Sequence, residues 1–391
     1  MISLREYSTS SVRLGRADLL HLLDLIKASG SPDEPKVLES LAPTREQHIY
    51  DVRPGPFVGR IGLPSGESID IQSRFDFTEI VDLIRFSGRS PLRMDALRVE
   101  VGEADLIIDL IALAFAREVE RIVSRGLAKG YERRRFTSPP YPGTLDAAYW
   151  IGRKAGRGDR LATRAARLTT SIRVNQIVAA ALDVLETVPL GARARARLSR
   201  IAPAFRGVRR TAVSSQDAAS VSTTRLTAQY VDAVALAERI LRAAALGVGG
   251  SGIAGAGLLF AMPKVWESCV ARWAEASWDA PFRTVAGYPF PVTSGGELTG
   301  IADVLILRGD QPVALYDAKY KDIAKAPSAS DIYQMVTYCE RLGVASATLA
   351  YPTVRTPKEY LVGSRAVRVV GLRRVVDDLA ESAGRVSKVA V

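Results

Sequence analysis

The stretch Leu315–Lys321, with the sequence LYDAKYK, places one acid and two lysines in a run that is otherwise apolar or aromatic. Residues two apart on a β-strand point to the same face, so Asp317 and Lys319 are expected to share one side of a strand. A charged group buried in a strand must be paired or must bind a metal ion, because desolvating it alone is unfavourable. The stretch therefore predicts a functional site at a strand end, with a partly exposed ion pair of no catalytic role as the alternative.

A second strand precedes this one. Residues 299–308 (TGIADVLILR) and 313–321 (VALYDAKYK) are separated by GDQP, which predicts a hairpin with a four-residue loop. Because Asp303 lies at the start of the first strand, hairpin pairing is expected to bring its carboxylate near that of Asp317.

Two neighbouring carboxylates predict a site for a hard divalent cation. Asp303, Asp317 and the backbone carbonyl of Ala318 supply the oxygen ligands that Mg²⁺ prefers, with Mn²⁺ as a substitute, and leave positions for water and a phosphate oxygen. Such an ion polarises a phosphodiester and activates water, and Lys319 is then placed to orient that water or to stabilise charge on the phosphate. The two histidines, His21 and His48, lie far from this cluster in the sequence, so neither zinc nor histidine chemistry is expected.

The residues around the hairpin predict an α/β module over residues 258–391. Residues 258–277 (LLFAMPKVWESCVARWAEAS) have the spacing of an amphipathic helix. A second helix is predicted from Ser330 or Asp331 to Gly343, followed by strands in residues 344–353 and 365–372.

The remaining chain predicts two further domains and a linker. Residues 1–95 contain a half-buried hairpin and flanking helical patterns, which predicts a mixed, β-rich domain. Apolar residues three and four apart predict a helical domain over residues 96–246. Residues 247–257 are rich in glycine and predict a flexible linker rather than part of a membrane span.

This chain is not expected to bind a nucleotide itself. The GxGxxG spacing within the glycine-rich segment follows a helical pattern, whereas a dinucleotide-binding fingerprint follows a strand. There is also no Gly-Lys dipeptide, which a phosphate-binding P-loop requires.

The formal net charge of +11 is concentrated in the middle of the chain. Between Arg117 and Arg210 there are 21 Lys or Arg residues and 7 Asp or Glu residues. This excess predicts salt-dependent contact with nucleic-acid phosphates, and the alternatives are solvated helix faces or a docking surface for an acidic protein. The candidate DNA-binding residues are Lys321, Arg133, Arg134, Arg135, Arg153 and Lys154.

Two cysteines are too few for a disulfide framework. No charged-then-apolar secretory segment opens the sequence. Both observations predict a cytoplasmic protein.

The run IADVLIL, the run VALYDAKYK and the later DIYQMVTY together resemble the core of the PD-(D/E)XK nuclease superfamily, and within it the McrC family of 5-methylcytosine-dependent restriction systems. The likeness extends to VGRIGLPSGESIDIQSRF, to RVNQIVAAALDVL and to MPKVWESCVARW, so it touches all three predicted domains. One departure is Ala302, where the family usually has proline. The change removes a rigid φ angle but no metal ligand.

The resemblance implies roles for individual residues. Asp303, Asp317 and Lys319 would be catalytic, and the two aspartates would bind the metal. Glu267 would be an auxiliary acid, and its alternative is a solvated helix residue. Residues Gln334 and Tyr338, four apart on one helical face, would support the site or the DNA strand, and their alternative is ordinary half-buried packing.

The resemblance also implies a multidomain α+β protein that ends in a restriction-endonuclease-like α/β domain. Its expected function is Mg²⁺-dependent hydrolysis of double-stranded, modified DNA, together with a McrB-like AAA+ GTPase ring that the amino-terminal region contacts and stimulates. A repair or defence nuclease that works with a different motor is one alternative. A non-catalytic adaptor that binds DNA and regulates an NTPase is the other.

Overall fold

The computed structural model describes residues 1–27, 35–88, 106–154, 161–247, 257–293, 295–321 and 326–389. These residues form two compact units. The first unit contains residues 1–111, 187–190 and 242–391, and the second contains residues 112–186 and 191–241. The amino-terminal and carboxy-terminal regions, which the sequence predicts to be separate domains, therefore lie in one compact unit.

The amino-terminal part contains β1 (Ile2–Arg5), β2 (Ser10–Arg13), α1 (Arg16–Lys27), β3 (Leu38–Pro43), β4 (Ile49–Pro54), β5 (Phe57–Gly62), β6 (Ser68–Gln72) and α2 (Phe77–Phe86). The middle part contains α3 (Ile107–Arg125), β7 (Gly130–Phe136), β8 (Thr144–Leu145), α4 (Ala147–Lys154), β9 (Thr163–Thr169), α5 (Arg173–Thr187), α6 (Ala192–Ile201), the 3-10 helices Ala202–Phe205 and Arg225–Tyr230, α7 (Ser215–Ser220) and α8 (Val231–Gly247). The carboxy-terminal part contains β10 (Gly257–Ala261), α9 (Met262–Ser277), β11 (Phe282–Pro291), β12 (Thr299–Arg308), β13 (Gln311–Ala318), α10 (Ala329–Leu342), β14 (Ser346–Tyr351), β15 (Lys358–Val362), β16 (Arg365–Gly371) and α11 (Leu372–Val389).

The predicted amino-terminal hairpin is confirmed as β5 and β6, but the expectation that it is half-buried is wrong. Every residue of β5 and four of the five residues of β6 are buried. Burial on both faces is possible because the polar side chains are paired: the Arg60 Nε group donates to Asp70 across the hairpin at 2.6 Å. The two strands lie in a four-stranded sheet with the order β1-β6-β5-β10, while β2, β4 and β3 form a separate small sheet.

Strand β10 joins the predicted linker region to the amino-terminal sheet. Residues 248–256 of the predicted linker lie outside the described residues. At Gly257 the chain enters β10 and pairs with β5, and helix α9 begins directly after this strand. The amino-terminal sheet therefore fixes the start of α9, the helix predicted to open the module at residues 258–391.

The middle part is less helical than predicted, because it also contains the three-stranded sheet β7-β9-β8. Its strands have exposed arginines in place of the alternating apolar residues that identify a half-buried strand, so the sequence pattern gave no strand signal. A buried polar contact links this sheet to the helices: the Tyr230 hydroxyl donates to Asn175 Oδ1 at 2.6 Å, and Asn175 donates to the carbonyl of Thr170 just after β9 at 2.7 Å.

The carboxy-terminal module is a six-stranded mixed sheet with the order β11-β12-β13-β14-β16-β15. The predicted hairpin is confirmed as β12 and β13, and the predicted helices and strands correspond to α9, α10, β14 and β16. The helix predicted over residues 258–277 begins only at Met262, because residues 258–261 belong to β10 and pair with β5. The predicted four-residue loop is wrong, since Gln311 pairs with Arg308 and only Gly309 and Asp310 turn the chain. Strands β13, β14 and β16 run parallel, and β12 runs antiparallel to β13. Among the described residues, no helix is long and apolar enough to cross a membrane.

The contact between β5 and β10 depends on a glycine. Gly59 has φ of +145°, and a Cβ atom there would lie 2.0 Å from the Leu258 carbonyl oxygen. We predict that Gly59→Ala lowers stability by at least about 2 kcal/mol, because the strands must separate and the backbone is strained. The matched control is Gly207→Ala, where a Cβ has no neighbour within 4 Å and φ is not positive. Urea unfolding midpoints measure the difference, and equal midpoints for the two variants would contradict the close-approach argument.

Candidate active site

The candidate active site lies where the pairing of β12 with β13 stops, in the middle of β12 and at the end of β13. The expectation that Asp303 lies at the start of its strand is wrong, because β12 begins at Thr299, where it already pairs with β11. Val304 and Tyr316 form the last pair of the β12–β13 ladder, and Asp303 and Asp317 are the next residues outward. The backbone N–H of Ala318 donates to Asp303 Oδ2 at 2.8 Å, so the Asp303 carboxylate takes the place of a ladder carbonyl. The prediction that the hairpin brings these two acids together is consistent with this geometry.

The Lys319 side chain forms an ion pair with Asp317, and the Lys319 backbone is hydrogen-bonded to strand β14. Its ammonium nitrogen lies 2.9 Å from Asp317 Oδ2 and donates to Oδ1 at 3.2 Å. The Lys319 backbone N–H donates to the carbonyl of Ala350 on β14 at 2.9 Å. The same carbonyl accepts the Trp266 indole N–H at 3.0 Å, so strand β14 and helix α9 meet directly behind the lysine.

Burial controls the charges of all three groups. Asp317 is 2% exposed, and burial followed by the nearby Asp303 charge raises the pKa of its carboxyl from 3.8 to about 6. Burial also raises the pKa of Asp303, with a further contribution from Glu267. For Lys319, burial acts to lower the pKa, but Asp317 outweighs it, and the net pKa is raised. Lys319 is therefore a protonated cation at neutral pH.

The two aspartates fit a divalent cation. Asp317 Oδ2 is buried and accepts no hydrogen bond, although the lysine charge is beside it, so this oxygen has capacity for another ligand. The described residues contain no group of three or more His, Cys, Asp or Glu side chains arranged for a metal. An ion would therefore rest on two carboxylates and complete its shell with water, backbone oxygen or phosphate, which is the usual pattern for Mg²⁺. The role of the Ala318 carbonyl stays a prediction.

Glu267 lies on α9, close enough for its charge to raise the pKa of Asp303. Its carboxylate accepts from Lys264 at 2.8 Å. The structure thus brings Glu267 towards the cluster but pairs it with a lysine on its own helix, and its auxiliary role stays a prediction.

Gln334 and Tyr338 on α10 contact each other. The Gln334 amide donates to the Tyr338 hydroxyl at 3.1 Å, and the Tyr338 ring packs edge-on against Phe290 with centroids 4.8 Å apart. Within the described residues, neither side chain forms a hydrogen bond to Asp303 or Asp317. Their support of DNA or of the site stays a prediction.

Lys321 has a partner within the protein. Its ammonium group lies 2.6 Å from Asp331 Oδ2, and the Tyr351 hydroxyl donates to the same carboxylate oxygen at 2.6 Å. Burial acts to raise the pKa of Asp331, but these two bonds and that of Ser328 outweigh it and lower the pKa. A DNA contact by Lys321 stays a prediction, and it would have to compete with this ion pair.

Sequence reasoning missed a contact between the site strand and the amino terminus. The Tyr320 hydroxyl donates to Glu6 at 3.0 Å to one carboxylate oxygen and lies 3.1 Å from the other, and Glu6 is 2% exposed. The Arg74 guanidinium covers the Tyr320 ring at 4.7 Å. Because Tyr320 follows Lys319 directly, this cluster ties the lysine to β1. The contact spans 314 positions in the chain, and no local pattern signals it.

The basic residues predicted to bind DNA belong to the second unit, apart from Lys321. Arg133, Arg134 and Arg135 lie on β7 and are exposed. Arg135 donates to Asp146 at 2.7 Å. Arg153 and Lys154 end helix α4, and their side chains lie outside the described part of the structure. DNA binding by these residues stays a prediction.

The fold and the site together define a multidomain α/β protein with two acids and a lysine at the end of a sheet hairpin. Residues 52–352 match the sequence family of the McrBC 5-methylcytosine restriction system component. The chain belongs to this family, and the predicted family resemblance is confirmed.

Two solved structures are similar to this chain, and the first of them agrees with it in fold. One chain is from the refined half-complex of a tetradecameric assembly of Thermococcus gammatolerans McrB AAA+ hexamers with bound McrC, and it shares 14% identity and a TM-score of 0.62 over 98% of this chain and 99% of the other. Another, from the cryo-EM structure of the T. gammatolerans McrBC complex, shares 15% identity and a TM-score of 0.48 over 71% of this chain and 88% of the other. No curated protein matches the chain.

The raised pKa of Asp317 gives a stability test with a defined sign. Since the folded-state pKa of about 6 exceeds the ordinary 3.8, the linked stabilisation is present below pH 3.8 and is lost as the pH rises through about 6. Asp317→Asn imitates the protonated carboxyl, so in metal-free buffer it should be more stable than the unmodified protein at pH 7.5, by roughly 2–3 kcal/mol, and about equal at pH 4.

The control for this comparison is Asp377→Asn, the same change at an exposed position of α11. Thermal unfolding with and without Mg²⁺ completes the test. Mg²⁺ should stabilise the unmodified protein and the control but not Asp317→Asn, because ligand binding to the folded state raises stability. Equal stabilisation of all three proteins by Mg²⁺ would place the ion elsewhere.

Proposed function

We propose that the chain is the endonuclease subunit of a McrBC-type, modification-dependent restriction complex, and that it hydrolyses phosphodiester bonds in DNA. The observation that carries the proposal is the cluster of Asp303, Asp317 and Lys319 at a strand end in a chain of this family. The arrangement has the acid, acid and lysine order of the PD-(D/E)XK nucleases that the sequence resembles.

The residues of the cluster have separate tasks in this proposal. Asp303 and Asp317 hold a Mg²⁺ ion, which when bound polarises the phosphodiester and activates water. Lys319, kept protonated by Asp317, stabilises the negative charge that builds on the phosphate and orients the attacking water. It acts as a cation rather than a general base, because its raised pKa leaves no free lone pair at neutral pH. Glu267 is an auxiliary acid beside Asp303.

The proposed partner is a McrB-like AAA+ GTPase ring. The solved structure with the same fold contains McrB AAA+ hexamers with bound McrC. This supports the proposal that the present chain likewise works bound to a separate AAA+ ring. The absence of a Gly-Lys dipeptide agrees with nucleotide hydrolysis by a partner rather than by this chain. The proposed substrate is modified double-stranded DNA in the cytoplasm.

The catalytic assignment is tested by Lys319→Ala. We predict that a reconstituted complex with this variant cuts DNA at least about 10²-fold more slowly in Mg²⁺, because the phosphate loses its charge-stabilising group. The matched control is Lys358→Ala, at an exposed position of the edge strand β15 in the same sheet, and it should cut at the unmodified rate. If Lys319→Ala cuts as fast as the control, the assignment is wrong.

The complex itself is tested by co-purification with the product of the adjacent gene, followed by cleavage assays on methylated and unmethylated DNA. Cleavage should require the partner, GTP and Mg²⁺ together. Cleavage without partner or nucleotide would count against the restriction complex. An intact chain that never cuts DNA with any partner would favour the non-catalytic adaptor.

A further inference from the structure

A basic groove lies within the second unit and shares no residue with the candidate active site. It has a volume of about 580 Å³ and is lined by one face of the β7–β9 pair, by the segment that follows β9, and by residues near Arg209. The residues that carry its chemistry are Lys129, Glu132, Arg134, Arg167, Ser171 and Arg209. We call this the basic groove.

The strand register sorts the arginines of β7 onto two faces. In the ladder between β7 and β9, Glu132 lies opposite Arg167, and Arg134 lies opposite Ala165. Residues directly opposite each other on antiparallel strands share a face of the sheet. Residues 132, 134 and 167 therefore face the groove together. Arg133 and Arg135 are each one position away from Arg134 and point to the opposite face.

On that opposite face two of the three arginines, Arg135 and Arg164, share one buried acid. Asp146 is 6% exposed, and it accepts from Arg135 at 2.7 Å and from Arg164 at 2.6 Å. The Arg135 guanidinium also stacks on the Tyr149 ring at 3.8 Å. Arg135 and Arg164 are thus held by partners within the protein and are poorly suited to bind an external anion.

The groove face retains its charge. Glu132 accepts from Arg209 at 2.8 Å, and this is the one carboxylate among the groove residues described. The side chains of Lys129, Arg134 and Arg167 are exposed and form no hydrogen bond or ion pair with other described residues. Three uncompensated cations around one concave surface create a positive potential that an extended anion relieves.

We propose that the basic groove binds the sugar-phosphate backbone of double-stranded DNA through Lys129, Arg134 and Arg167. The cations and the hydroxyl-bearing segment at Ser171 are the groups that contact phosphates. No aromatic side chain lines the groove among the described residues, so bases are neither stacked nor read there. The choice of DNA as the anion rests on the proposed function, whereas the charge of the groove does not. Binding through the groove should be independent of DNA sequence and should weaken as the salt concentration rises.

The test compares two double variants of the full-length chain by fluorescence anisotropy with a labelled DNA duplex, without divalent metal. Arg134→Ala/Arg167→Ala removes two groove charges, while the control Arg200→Ala/Arg225→Ala removes two exposed charges of the same unit from outside the groove. At roughly 100 mM salt, the groove variant should bind about tenfold more weakly, and the slope of log affinity against log salt should fall by about two. The control should show a much smaller loss, and circular dichroism checks that both variants are folded.

The outcomes separate this proposal from the proposed function. Equal loss of affinity in both double variants, or no duplex binding by the unmodified chain at low salt, overturns the groove. Unchanged DNA affinity together with weaker association with the AAA+ partner assigns the groove to a protein and also overturns it. Because binding is measured without divalent metal, it does not depend on cleavage. An unmodified chain that binds DNA through the groove, but whose complex with the partner never cuts in Mg²⁺, retains the groove and refutes the nuclease.

Discussion

Three charged groups lie together at the end of one strand, and the surrounding elements of the first unit must compensate their charges. Asp303, Asp317 and Lys319 are largely withdrawn from water, and burying such groups without partners would cost several kcal/mol each. The hairpin provides one solution by donating the Ala318 N–H to Asp303. Lys319 provides another by pairing with Asp317. The raised pKa of both acids shows that this compensation is incomplete, and a divalent cation would complete it.

The elements that surround the cluster of Asp303, Asp317 and Lys319 fix the backbone at the end of β13 rather than the charged side chains. The Ala350 carbonyl accepts from both the Lys319 backbone N–H and the Trp266 indole, so β14 and α9 fix the end of β13 from two directions. Helix α9 in turn begins directly after β10, whose place is set by the close approach of Gly59. Tyr320 adds a third attachment through Glu6, which directly follows β1. The amino-terminal sheet is therefore structurally connected to the candidate active site at both α9 and β13, in line with a single compact unit.

The site hairpin was predictable because its information is local. Alternation places Asp317 and Lys319 on one face, and a short turn places Asp303 opposite, so the pattern LYDAKYK and its neighbour suffice. The partners of Lys321 and Tyr320 were not predictable, because Asp331 and Glu6 are brought there by tertiary packing. The sheet in the middle part was missed for a different reason. Its strands are rich in arginine, whose long stems pack while the charged ends stay in water, so they lack the usual apolar alternation.

The arginines of β7 show why a charge count predicts less than a register. The sequence presents Arg133, Arg134 and Arg135 as one basic run, and composition alone treats them as equivalent DNA contacts. Pairing with β9 separates them, since a strand sends successive side chains to opposite faces. Arg135 is then committed to Asp146, while Arg134 remains available in the groove. The same period of two that gathers the acid and lysine of the candidate active site thus divides the basic run, and the partners on each face decide which charges are free to meet a phosphate.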